Sequence, residues 1–302
     1  MSPGVEAALI AGGVGIITLI GTLAAQFYGI RKISGDNQKA RAQQREELDR
    51  NLAQQRERTL NERFTSIAAQ LGDAQPAVRL AGAHAMARLA DDWEENRQPC
   101  VDVLCAYLRM PYDPDPGDDA APKDRAVYLG NREVRHTIIR LIRDHLRPDM
   151  DLEKSWQGRD LDFTGVVFDG GDFTEAQFSR GTVKFDEASF ASGEVNFNGA
   201  EFSGSKVRFI RAKFSGSTVY FDGSGFSGSM VYFDRAEFSR GKVRFISAKF
   251  SDGQVRFIAA KFTGSCEVDF RGANPFSRPP VVFGGSGIPP GVKLPAGHAA
   301  TS

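Results

Sequence analysis

The side chains able to do chemistry are few, and their spacing gives them no shared task. Cys100, Cys105 and Cys266 are too few for a disulfide framework and lack the Cys/His spacing of a zinc site, so they read as free thiols in a reducing compartment. His84, His136 and His145 fall on helical stretches without a partnered cysteine or carboxylate triad, and they read as packing or surface histidines. A catalytic or sensory helical domain using His136 or His145 is the alternative. Gly12, Gly13 and Gly15 imitate a phosphate loop, but no strand precedes them and the segment is apolar throughout. No Ser/His/Asp order and no carboxylate pair in a pocket is evident, so we expect neither an enzyme nor a bound cofactor or metal.

What remains is electrostatics. The 302 residues hold 38 Lys and Arg against 38 Asp and Glu, which excludes capture of nucleic acid by bulk positive charge. Locally the balance is uneven: 159–201 has three basic and nine acidic residues, and 206–261 has eleven basic and four acidic. Arg208, Arg211, Lys213, Arg244, Lys249, Arg256 and Lys261 therefore form the candidate interaction surface, a basic docking face for an acidic protein partner or for anionic lipid. Solvated surface decoration is the competing reading of the same residues.

The elements that must position this surface begin at the N-terminus. Residues 7–25 contain no charge, and nineteen residues of helix span about 28 Å, close to a bilayer core of roughly 30 Å. Thr22-Leu23-Ala24 would suit a signal-peptide cleavage site, yet Glu6 is the only charged side chain ahead of the apolar run. Arg31, Lys32, Lys39, Arg41 and Arg45 follow it, which the positive-inside rule assigns to the cytoplasm. The expectation is a transmembrane anchor over 1–33, single-pass in a bacterial cell membrane, with the C-terminal domains cytoplasmic. Ala7, Ala11 and Gly15 recur every fourth residue and could let two anchors approach closely.

Residues 34–72 form a juxtamembrane amphipathic helix or stalk with Leu48, Leu52, Leu60, Phe64, Ile67 and Leu71 at three- and four-residue steps, a second route to a homo-oligomer by coiled coil. A small helical domain spans 73–149, with helices from Pro76 to Trp93, Pro99 to Met110 and Asn131 to Leu146 and a Pro/Asp-rich loop from Tyr112 to Asp124.

From Phe163 the aromatic residues follow a ladder, first at steps of five and then alternating seven and five up to Phe262. Val183, Val195, Val207, Val219, Val231, Val243 and Val255 each stand two residues before a Phe, and Ala occupies that place in most of the intervening units. Alternating positions of an extended segment share a face, so Val-x-Phe and Ala-x-Phe each send two apolar groups inward. Twelve residues per coil leave too little interior for two Phe rings and a Val, so 24 residues and four walls are expected. Taking every 24th residue gives the outward rows Lys213, Glu237, Lys261 and Arg208, Tyr232, Arg256, with complementary neighbours; a twelve-residue coil would set Arg244 on Arg256.

LDFTG-VVFDG-GDFTE-AQFSR, 161–180, resembles the pentapeptide-repeat family, and 158–276 continue it as a variant twelve-residue pattern V-x-F-x-x-A-x-F-S-x-x-x. The stretch 77–112 is similar to the helical block ahead of such repeats in membrane-anchored members from actinobacteria. The resemblance implies an α+β multi-part chain whose residues 150–276 wind into a right-handed quadrilateral β-helix. Residues 277–302 form a Pro/Gly-rich tail, largely disordered, whose first part through Phe283 could cover the last coil. The expected function is a non-enzymatic membrane-tethered scaffold presenting the solenoid to a protein partner. The alternative implied by the resemblance is a DNA-mimic type topoisomerase-modulating protein, which the neutral balance and the expected anchor argue against.

Overall fold

A computed structural model describes residues 39, 41–113, 115–252, 254–273, 281–283 and 288–295. The segment expected to cross a membrane, 7–25, lies outside the described residues; among those described, no helix is long and apolar enough to do so. The chain divides into two compact units, 1–61 and 62–302. Residues 41–71 form helix α1. Its part in the first unit is exposed at nearly every position, with Leu48 and Leu52 more than half accessible.

The second unit holds the helical domain and the solenoid. Ile67 and Leu71 of α1 are buried in it. Helix α2, Pro76–Asp92, starts on a proline whose fixed φ suits a first turn. One 3₁₀ turn, Glu94–Asn96, leads into α3, Arg97–Arg109, and α4 runs Pro122–Leu146. Their core is Ala83, Met86, Leu89 and Ala90 of α2, Val101, Leu104 and Leu108 of α3, and Val134, Ile138 and Ile142 of α4, all essentially inaccessible. Burial pushes the thiols of Cys100 and Cys105 up to about 11 and about 12, which leaves both protonated and inert.

Helix α4 begins nine residues earlier than its apolar spacing predicts. Pro122 opens it, but Val127 and Leu129 in its first turns are half exposed and only Tyr128 is buried there, so no apolar stripe marks the segment. Gly130 inside it gives clearance, since a Cβ at that position would lie 2.7 Å from Pro76 Cγ at the head of α2.

The solenoid has four walls of parallel strands. Wall 1 is a six-stranded sheet: Leu161–Asp162, Thr182–Lys184, Lys206–Arg208, Met230–Tyr232, Gln254–Phe257 and Val281–Phe283. Wall 2 holds Val167–Phe168, Ser189–Phe190, the first halves of Lys213–Tyr220 and Glu237–Arg244, and Lys261–Phe262. The second halves of those two long strands turn the corner into wall 3, beside Gly171–Asp172, Glu194–Asn196, Glu267–Asp269 and Val292–Lys293. Wall 4 is Gln177–Ser179, Glu201–Ser203, Gly225–Ser227 and Lys249–Ser251. Val183, Val207, Val231 and Val255 pair successively, so each coil between them takes 24 residues, as the rows of outward residues require, while the end steps Leu161 to Val183 and Val255 to Val281 take 22 and 26. The strands at 281–283 and 292–293 carry walls 1 and 3 past residue 276, into the segment read from sequence as a tail.

Four phenylalanine columns fill the lumen. Phe185, Phe209 and Phe233 stack at 4.7 Å between centroids, and Phe190, Phe214 and Phe238 do the same on the next wall. Across the lumen, Phe209 and Phe221 meet at 6.1 Å and 88°, the edge-to-face arrangement that aromatic quadrupoles favour. These rings have 0 to 2% exposure, and each contributes roughly 1.5–3 kcal/mol by burial. After each phenylalanine of walls 1 and 3 from Phe163 to Phe270 the chain turns within four residues; the amide of Ala188 donates to Phe185 O, and that of Ala212 to Phe209 O. The third residue of the turn has positive φ: Glu187 at 59°, Arg211 at 60°, Ala259 at 57°. At Gly241 glycine is obligatory, with φ +87° and Ser217 O only 2.1 Å from where a Cβ would stand.

Helices α3 and α4 lie on the first strands of the solenoid. Arg109 donates to Asp162 O at 2.7 Å, Arg143 pairs with Asp172, and Arg147 pairs with Glu175 at 2.9 Å. The helical domain thereby covers the N-terminal end of the Phe columns, where an uncovered coil would expose rings and unpaired strand edges.

Candidate interaction surface

Because the lumen is packed with rings, the surface available for recognition is the outward residues of each strand. The seven basic candidates do not share one wall. Arg208 and Arg256 stand on wall 1, Lys213 and Lys261 on wall 2, Arg244 on wall 3 and Lys249 on wall 4, while Arg211 sits at the corner between walls 1 and 2. Structure and sequence agree on the rows themselves, since Lys213, Glu237 and Lys261 are in register and so are Arg208, Tyr232 and Arg256.

Most of these cations are already compensated. Arg208 pairs with Asp186 at 2.6 Å, Arg244 with Asp222 at 2.7 Å and Arg256 with Asp234 at 2.6 Å. Arg211 reaches Glu187 at 3.3 Å and Lys261 reaches Glu237 at 3.0 Å. Lys213 and Lys249 are exposed and make no ion pair among the described residues. Arg208 and Arg211 thus join the first basic coil to the acidic coil before it.

The arginine pairs follow one rule. Each V-R-F-I unit (207–210, 243–246, 255–258) lies on a V-[KY]-F-D unit of the preceding coil (183–186, 219–222, 231–234). One carboxylate oxygen of the aspartate takes the guanidinium, and the other accepts the backbone N–H one coil on: Ile210 to Asp186 at 3.1 Å, Ile246 to Asp222 at 3.0 Å, Ile258 to Asp234 at 3.2 Å. Asn198 accepts from the Asp222 amide in the same way, without an arginine. The guanidinium lies over the tyrosine beneath it where there is one, 5.1 Å from the Tyr220 centroid for Arg244 and 4.9 Å from Tyr232 for Arg256. Sequence reasoning missed the aspartates because they stand 22 residues before their arginines. The signal that would have found them is the recurrence of F-D one coil before each R-F-I.

A second polar cluster fixes the helical cap. Asp169, in the turn between walls 2 and 3, is 6% exposed. Its Oδ2 accepts from Tyr112 Oη at 2.6 Å and Tyr128 Oη at 2.9 Å and lies 3.3 Å from Arg132 Nε, while His136 Nε2 is 3.0 Å from Oδ1. Burial pushes the Asp169 carboxyl up, but the hydrogen bonds from His136, Tyr112 and Tyr128 outweigh it and hold the group far below the usual carboxylate range. Burial, with the Asp169 carboxylate beside it, pushes the Tyr128 phenol up to about 12. Alongside, Arg135 donates to Leu108 O and Val167 O, each at 2.8 Å, and so ties α3 and α4 to the first coil. With its neighbours filling both oxygens, Asp169 is a latch.

The histidines also gain partners that their own helices did not announce. His145 stacks on Trp156 at 4.2 Å, its Nδ1 lies 2.6 Å from Leu141 O, and Nε2 is 3.3 Å from Asp91. His136 and His145 thus each contact a carboxylate from another element. Among the described residues no group of three His, Cys, Asp or Glu could hold a metal ion. Cys266 is buried, and that burial pushes its thiol up to about 11.

The geometry defines a closed, four-walled parallel β-solenoid with a helical cap. Residues 163–209 match the family model of pentapeptide repeats (9 copies). No curated protein and no solved structure matches the chain.

Proposed function

We propose that this chain is a non-enzymatic scaffold that presents the outer walls of its solenoid to a protein partner. The observation that carries this reading is the filled lumen: stacked rings such as Phe190, Phe214 and Phe238 leave no space for a substrate, so recognition falls to the outward rows. The basic residues without a partner on the coil beneath, Lys213 and Lys249, are the parts of the charged surface best able to engage an acidic partner or anionic lipid. The tether is the uncharged segment 7–25, followed by the basic flank from Arg31 to Arg45, and it would hold the solenoid at the cytoplasmic face of a membrane. A DNA mimic would need an unbroken acidic row, whereas wall 1 runs Asp162, Lys184, Arg208, Tyr232, Arg256.

Proximity labelling in the native membrane with the tag at the C-terminus tests this reading, since it reports topology and neighbours together. The expected result is a restricted set of cytoplasmic neighbours that is lost when Lys213 and Lys249 are both replaced by Glu. An unchanged set would remove the basic residues from the proposal, and labelling on the opposite side of the membrane would overturn the topology.

A further inference from the structure

The helical cap contains a cleft of about 240 Å³ at the meeting of α1, α2, α3 and α4, lined among others by Asp73, Arg79, Tyr107, Tyr112, Asn131 and Arg135. Two guanidinium groups border it, and neither makes an ion pair among the described residues. Arg79 donates from Nη1 to the backbone oxygens of Asp73 at 2.8 Å and Ala74 at 3.0 Å, and from Nη2 to Asn131 Oδ1. All three acceptors are neutral, and Arg79 Nε is buried with no acceptor at all. Arg135, 4% exposed, donates to two carbonyls and lies 4.2 Å above the Tyr112 ring, again without a carboxylate in contact. Two carboxylates stand near these groups, Asp73 in the cleft lining itself and Asp169 beside Arg135. Asp169 is held by Tyr112, Tyr128, Arg132 and His136, and Asp73 Oδ1 accepts the Gln75 amide at the start of α2.

A guanidinium that makes no ion pair and a buried N–H without an acceptor each raise the energy of the empty cleft, although Asp169 still acts on Arg135 as a counter-charge beyond ion-pair distance. A planar guanidinium offers paired donors that match the oxygens of carboxylate and phosphate. The volume is below the roughly 300 Å³ at which drug-sized ligand sites begin, so the space fits a small ion and not a nucleotide. We propose that this cleft binds a small oxyanion, a phosphate or carboxylate group, between Arg79 and Arg135. The site is independent of whatever the solenoid walls bind. Arg135 also donates to Val167 O at the first coil, so occupancy would tighten the cap on the solenoid.

The test is thermal unfolding of the full-length protein in inorganic phosphate, in citrate and in sodium chloride of matched ionic strength, with ³¹P line broadening as a second readout in the phosphate arm. Phosphate or citrate at about a hundred times its Kd should raise the midpoint by several degrees above the chloride control, and the arm that responds identifies the preferred oxyanion. Arg79→Gln should abolish the increment relative to its own baseline, and Arg63→Gln, which breaks the pair with Asp92 outside this cleft, should keep it. Asn131→Asp should also abolish it while raising the anion-free midpoint, because it supplies Arg79 with a carboxylate from within. No increment in the wild-type protein, or an increment retained by either Arg79→Gln or Asn131→Asp, would overturn the proposal.

Discussion

The solenoid and its helical cap solve the same problem by opposite means. In the solenoid one contact is repeated: each ring sits on the ring one coil away, as Phe197 on Phe173 and Phe221 on Phe197, both at 4.9 Å. At the cap a single buried carboxylate, Asp169, gathers Tyr112, Tyr128, Arg132 and His136, and nothing there repeats. A repeated contact spreads stability evenly along the chain, whereas a unique cluster concentrates it at one joint. The two regions should therefore fail differently.

The largest effect is expected in the middle of a column. Phe209→Ala removes a ring stacked on Phe185 and Phe233 and edge-on to Phe221, and should cost about 3–5 kcal/mol by urea unfolding. A loss below about 1 kcal/mol would mean that the columns collapse around the gap and that repetition confers tolerance.

Asp169→Asn should cost about 2–3 kcal/mol, because donors arranged for a carboxylate lose its charge. Amide exchange should separate the two regions: protection falls in α4 but is kept at Val207 and Val231. Acid provides the matching test. The folded value for Asp169 is depressed, so its stabilisation is complete above about pH 4 and drains away as pH falls through and below that value. The wild-type protein should lose stability in that window and Asp169→Asn should lose much less; parallel pH profiles would dismiss the latch.

A smaller effect is expected from the rung between coils. Asp222→Asn keeps an oxygen for the Ile246 amide, as Asn198 does naturally for the Asp222 amide, and removes only the charge facing Arg244. The cost should be under about 1 kcal/mol and should shrink further in high salt. The smallest change should be a gain. Ala259→Gly relieves a positive φ of 57° and should add about 0.5–1 kcal/mol in thermal unfolding, the counterpart of the destabilisation expected for Gly241→Ala.

How much of each region is legible in the sequence follows from the same contrast. The steps between Phe residues and the alternation of Val-x-Phe with Ala-x-Phe suffice to derive 24 residues per coil and the stacking of Arg256 on Tyr232. The pairs of Arg208, Arg244 and Arg256 escape a strict 24-residue reading because each guanidinium leans along the wall to an aspartate two positions further on. At the cap, Asp169 meets Tyr112 and His136 from 57 and 33 residues away with no period to reveal it. The early start of α4 is hidden for a related reason: its first turns bury little except Tyr128, whose partner Asp169 is 41 residues on.

The interlocking of V-R-F-I on V-[KY]-F-D also limits how such a gene can lengthen. Tandem duplication of a twelve-residue unit such as 243–254 would move every later triplet to the opposite side of the tube. The unit 255–258 would then land on 243–246, with Arg256 over Arg244 and isoleucine where an acceptor is needed. Growth by whole turns keeps each rung intact, so heredity in this protein is quantised at twice the period that its letters display.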